Sequence, residues 1–249
     1  MYETILFEKK DRVATITLNR PDKMNSITVQ LQDELIQALD EAAADDDVTV
    51  VILTGAGRAF CGGHDVPTVL AKKGVFRKHK IILRMVAFDK PIIAAVNGYA
   101  LAEGFQMALA ADIIVASEEA QFGSIGARLG TICNYAVFAL PRVVGRNKAA
   151  EMLFTCDHIS GEEAFRIGLA NRVVPAEQLM QAAWELADRI KNNAPLSLKY
   201  TKQALRKGEY GDEAVDWATE VLNILTQTED SREAFTAILE KRKPVFKGR

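Results

Sequence analysis

Two glycine-containing loops hold the residues whose types and spacing could do chemistry. The first reads Thr54-Gly-Ala-Gly-Arg-Ala-Phe-Cys-Gly-Gly-His-Asp65, and the second Asn97-Gly-Tyr-Ala-Leu-Ala-Glu-Gly104. Each follows an apolar run, Val48 to Leu53 and Ile92 to Val96, and the second leads straight into an apolar helix. Glycine lets backbone approach a ligand closely, and N–H groups at a loop or helix start can hold an anion. Each such loop could mark only a strand-to-helix turn, but two after neighbouring strands are more suggestive than one. Cys61 and Cys133 lack the basic partner or helix-start context of a nucleophile and read as small core residues. His79 and His158 have no ligand-like neighbours, so no metal is expected.

The elements that must position these loops follow from periodicity. Thr4 to Phe7 and Val13 to Leu18 read as a half-buried hairpin around a charged turn, Glu8 to Arg12. Asn19-Arg-Pro-Asp22 breaks the second strand. From Thr28, Leu31, Leu35, Leu39 and Ala42 fall on one helical stripe, which Asp45-Asp-Asp47 ends because acids are disfavoured at the negative end of a helix dipole. Val48 to Leu53, Ile92 to Val96 and Ile113 to Val115 are runs typical of strands buried on both faces. Helical segments at 68–87 and 102–111 alternate with them, so the fold class is α/β with a mainly parallel sheet. Beyond about residue 145 strands almost vanish, Arg172-Val-Val174 excepted. Leu179, Ala182, Ala183, Leu186 and Ile190 form one helical stripe, Pro195 opens another helix, and Val215, Ala218, Leu222 and Leu225 form a third stripe. A helical end richer in stripes than one body needs points to oligomer contacts.

Composition narrows the class. The chain has 249 residues, 49% hydrophobic and 26% charged, which excludes disordered, collagen-like and disulfide-scaffold proteins. With 31 basic against 33 acidic residues, no global field recruits nucleic acid or a membrane. Three scattered cysteines and no basic, apolar leader predict a soluble, cytoplasmic protein.

The motifs Asn19-Arg-Pro…Asn25, Arg58-Ala-Phe-Cys-Gly-Gly-His-Asp65, Lys90-Pro-Ile-Ile-Ala-Ala-Val-Asn-Gly-Tyr-Ala100, Ala111-Asp-Ile-Ile114, Gln121-Phe-Gly123 and Leu129-Gly130 stand in order. With Gly168 to Pro175 and Lys241-Arg-Lys-Pro-Val-Phe246, the whole chain resembles the enoyl-CoA hydratase/isomerase (crotonase) superfamily. The resemblance implies a crotonase-type spiral of ββα turns over residues 1–190 and a C-terminal helical trimerisation segment over 191–249. It further implies trimers stacked into hexamers, a place in fatty acid metabolism, and an acyl-CoA thioester as substrate with no other cofactor. The backbone N–H groups of His64 and Glu103 would stabilise an enolate-like thioester oxygen. A donor of this kind is worth about 3–4 kcal/mol of barrier. Lys23, Met24, Gly62, Asp65 and Lys241 would bind coenzyme A, the lysines as flexible point charges for phosphates.

The chain departs from the family in the acyl pocket, where Gln106, Gly126 and Cys133 stand. A hydratase of the family uses glutamates at the first two positions as general acid and base. Gln106 can orient a water but not take its proton, and Gly126 can do neither. Glu103 replaces the family's glycine. Either its side chain turns away into a pocket or salt bridge, or it faces the acyl group as a protonated donor. Gly63-His64-Asp65 resembles the oxyanion loop of the family's malonyl-type decarboxylases, which need an enolate sink but no carboxylate base. Those enzymes place a tyrosine where Cys133 stands, with Tyr135 out of register. Three readings stay open: a hydratase or isomerase, a malonyl-type decarboxylase, and an inactive acyl-CoA binder. Lys72 to Lys80 is the dense basic run; with Phe76 as its one aromatic it reads as a solvated lid face, or as steering for the phosphates, rather than an RNA platform.

Overall fold

The structure is a computed structural model and describes residues 2–67, 80–208 and 212–249. His79, the basic run up to residue 79 and the first part of the helix expected at 68–87 lie outside the described residues. So do the side chains of Val215 and Ala218.

The chain opens on a hairpin, β1 (Ile5–Lys10) and β2 (Val13–Leu18). The expected five-residue turn is shorter than the sequence suggested. Glu8, Lys9 and Lys10 pair with Thr15, Ala14 and Val13, leaving Asp11 and Arg12 to turn the chain, both with positive φ. Positive φ at both central residues matches the right-handed twist of the paired strands, so charge at the strand end does not stop the pairing. Helix α1 (Val29–Ala44) follows, with the Thr28 side chain accepting from Leu31 N and Asp45 at its C-cap.

Three turns of strand, strand and helix come next. β3 (Val50–Gly55), β5 (Ile92–Val96) and β7 (Ile113–Ser117) join β1, β2 and β10 (Arg172–Val174) in one sheet, ordered β1-β2-β3-β5-β7-β10. From β2 onward every neighbouring pair in it is parallel. A second sheet, β4 (Ala59–Cys61), β6 (Tyr99–Leu101), β8 (Gln121–Gly123) and β9 (Ile159–Ser160), is built from strands the periodicity did not reveal. Each is too short for an alternation to register.

The central strands are buried on both faces, as their apolar runs require. Val51 and Leu53 face a core built with Leu31, Leu35, Met85 and Phe105. Val50 and Ile52 face Leu179, Ala183 and Ala187. The helices of the first core include α1, α2 (Lys80–Ala87), α3 (Glu103–Ala110), α4 (Ala136–Val144) and α5 (Arg146–Thr155). After α6 (Gly161–Arg166), helix α7 (Leu179–Lys191) closes the opposite face with the stripe expected of it. The chain ends in α8 (Pro195–Lys207), α9 (Asp212–Leu225) and α10 (Glu229–Glu240). No helix among the described residues is long and apolar enough to cross a membrane.

Candidate active site

The two loops meet. Strand β4 pairs with β6 through a register shift between Ala59 and Cys61, and such a bulge turns the chain that follows it. Immediately beyond, Gly63 takes φ +103°, a conformation strained for any other residue. A Cβ placed on Gly63 would lie 2.9 Å from Ala102 Cβ and 3.8 Å from Glu103 N. The backbones at 63 and 102–103 are therefore in contact. Ala102 itself carries φ +50° and ψ −113°, unusual for a residue with a side chain. At the next residue but one, a Cβ on Gly104 would fall 2.1 Å from the Cys61 carbonyl oxygen, so the start of α3 rests directly on the end of β4.

His64 is held by a parallel bridge to Ile27, in which Ile27 N donates to Gly63 O at 2.8 Å and Asp65 N to Ile27 O at 3.0 Å. In a parallel bridge the residue opposite directs its own N–H to the other side, here away from Ile27. Glu103 is the first residue of α3, and first-turn amides point out along the helix axis. Gly62 N donates to Met24 O at 2.8 Å, and Met24 sits in the left-handed region at φ +51°. Asn25, fully buried, staples this segment: its Nδ2 donates to Ala56 O and Ala59 O, and its Oδ1 accepts from Arg20 N.

The Glu103 side chain is 3% exposed, and its Oε2 accepts from Gln106 Nε2 at 2.7 Å. Gln106 is equally buried, and its Oε1 accepts from Tyr135 N at 2.8 Å and Ala136 N at 3.2 Å. It thus caps α4, whose own first residues supply no side-chain cap. The sequence offered no signal for this link across the fold. Cys61 lies beside Glu103; burial first, and the nearby carboxylate after the opposing Gly63 N–H, push its thiol up to about 12.

Gly126 and Cys133 are also together. A Cβ on Gly126 would meet Cys133 N at 2.9 Å and the Ile132 carbonyl carbon at 3.0 Å. Gly126 O accepts from Thr131 N at 2.8 Å, which ties the intervening loop shut. No side chain fits at 126 unless that backbone moves. Lys23 is exposed beside Met24, whereas Lys241 stands exposed at the C-cap of α10. Among the described residues no three His, Cys, Asp or Glu side chains cluster as metal ligands.

Comparison with known proteins bears on this geometry. The family model for enoyl-CoA hydratase/isomerase matches residues 8–249, and the chain belongs to that family. It is 37% identical to the short-chain-enoyl-CoA hydratase of Clostridium acetobutylicum, over 96% of this chain and 95% of that one. It is 34% identical to the 1,2-epoxyphenylacetyl-CoA isomerase of Escherichia coli K12, over the whole of both chains. The crystal structure of an enoyl-CoA hydratase from Mycobacterium tuberculosis H37Rv superposes with a TM-score of 0.94, at 32% identity and 99% coverage of both chains. The spiral α/β fold expected from the sequence is the fold of these structures.

Proposed function

We propose that this chain binds an acyl-CoA thioester and stabilises negative charge on its carbonyl oxygen between the backbone N–H groups of His64 and Glu103. The observation that carries this reading is the contact of Gly63 with Ala102, which brings the two amides to adjoining backbone segments. Fixed donors aimed at developing charge lower the barrier without reorganising. Met24, Gly62 and Asp65 line the coenzyme A side of the first loop, and Lys23 and Lys241 supply charge for its phosphates. The reaction needs no cofactor beyond the thioester itself.

The relatives named above are hydratases and an isomerase, and an enolate reaction of that kind is the first reading. A second, decarboxylation of a malonyl-type thioester, is favoured by one feature of the pocket. Position 126 carries no carboxylate, and Gln106 is committed to Glu103 and α4. Loss of CO2 generates an enolate without an acid–base pair; hydration needs one. A panel of enoyl-, epoxyacyl- and malonyl-type thioesters followed by mass spectrometry separates gain of water, isomerisation at constant mass and loss of CO2. Coenzyme A binding with every thioester unchanged would leave the inactive-binder reading standing.

We also propose a cytoplasmic trimer or hexamer. Leu222, Ile224, Phe235, Ile238 and Leu239 of the C-terminal helices are exposed in the single chain. Analytical ultracentrifugation tests this, and a monomer at micromolar concentration would refute it.

A further inference from the structure

An acidic residue beside an anion site calls for an explanation. The amide of Glu103 is useful to a thioester oxygen, but its carboxylate aimed the same way would repel the charge that forms there. In the structure the two ends of this residue go to different places. The N–H lies at the start of α3, whereas the carboxylate meets Gln106, one helical turn further on. Residues three apart share a helix face, which makes this reach possible.

The orientation of Gln106 is determined by its other partners. Its Oε1 accepts from two amides, Tyr135 N and Ala136 N, so the oxygen must face α4 and the Nε2 must face Glu103. Two donors on the oxygen also polarise the amide and strengthen its N–H as a donor. Both side chains are buried, so water does not compete for this hydrogen bond.

We infer that Gln106 is a positioning residue that draws the Glu103 carboxylate away from the anion site, leaving only its backbone N–H to face the thioester oxygen. The inference rests on the anion-site reading above and deepens it. It assigns to position 106 a task unlike acid–base chemistry, and it explains why a glutamate is tolerated at 103.

The experiment uses the full-length protein and butyryl-CoA carrying 13C at the thioester carbonyl, a saturated probe. Its readout is the carbonyl resonance of the bound thioester, which moves downfield when N–H donors polarise the oxygen. Q106E keeps an acceptor for the two α4 amides but turns a second carboxylate toward Glu103. It is expected to lose the downfield displacement at pH 8 and to regain it as the pH falls and the facing pair takes up a proton. The swap E103Q/Q106E restores a donor and an acceptor in reversed order and is expected to recover the displacement. Should Q106E fold poorly, the neutral, similarly sized Q106M is expected to lose the displacement, and E103Q in that background to recover it. A wild-type displacement that survives Q106E or Q106M, or that neither rescue restores in folded protein, overturns the role of Gln106. Absence of any displacement in wild type overturns the anion-site reading itself and this inference with it.

Discussion

Lys202 Nζ lies 2.6 Å from Asp112 Oδ2, and through this pair the C-terminal helix α8 is fastened to the start of β7. The same ammonium donates to Lys90 O at 2.7 Å and sits over the Phe88 ring, while Asp112 Oδ2 also accepts from Ile92 N at 2.7 Å. Lys199 and Gln203 bind Asp89, and Arg206 donates to Phe88 O. Helix α8 therefore docks through a polar stripe rather than an apolar one.

Lys202→Met leaves Lys90 O without its donor, while Asp112 is partly open to solvent and keeps Ile92 N, so the substitution should destabilise the fold by about 1–3 kcal/mol at neutral pH. Burial lowers the Lys202 pKa to about 8, despite Asp112, from an ordinary value of 10.5. Between these values the unfolded chain binds more protons than the native one, so this group's contribution to stability rises with pH. Urea denaturation at pH 7.5 and 9.5 should show wild type gaining on Lys202→Met as the pH increases. A constant gap would refute the burial of a charged lysine here.

Restoring the family's second glutamate should not create a hydratase. In Gly126→Glu the new Cβ meets Cys133 N at 2.9 Å, and the backbone of Ile132 must shift. Overpacking of this kind costs about 1–3 kcal/mol. The expected result is a lower denaturation midpoint with no gain of water addition to crotonyl-CoA.

The Gly63–Ala102 contact can be tested from both sides. Gly63→Ala adds a methyl 2.9 Å from Ala102 Cβ at φ +103°, and pushing the amides apart should reduce kcat/KM by about 100-fold, the loss expected of one misplaced anion-site donor. Ala102→Gly should instead stabilise the protein. Relief of backbone strain is worth about 1–3 kcal/mol, and the added chain entropy of glycine costs only about 0.4–1 kcal/mol. Steady-state kinetics of Gly63→Ala and thermal and denaturant unfolding of Ala102→Gly would check the two outcomes.

Cys61 should be inert. With its thiol near 12, almost none is thiolate at pH 7.5, and the sulfur is fully buried. Iodoacetamide in excess should leave Cys61 unmodified in native protein and alkylate it in urea, as read by peptide mass spectrometry. Native labelling at rates typical of a free thiol would contradict the packing of Cys61 beneath α3.

Much of this protein was legible in its amino acids because burial on both faces demands unbroken apolar runs. Ile52, Ile93 and Val115 announced the central strands, Leu31 to Ala42 announced α1, and the glycine motifs announced the family. Short strands such as Ala59–Cys61 and Tyr99–Leu101 were not legible, since three residues carry no readable period. Nor was the docking of α8, because pattern reading looks for apolar stripes and Lys202 is a buried charge. The sequence also left the Glu103 side chain with two possible directions. The tertiary structure gives that side chain a partner the sequence did not suggest, by bringing the amides of Tyr135 and Ala136 onto Gln106 and so turning its nitrogen to the carboxylate. Local sequence determines which backbone conformations and burial patterns are affordable, whereas the partner of a buried polar group is decided by whatever distant segment the fold carries to it.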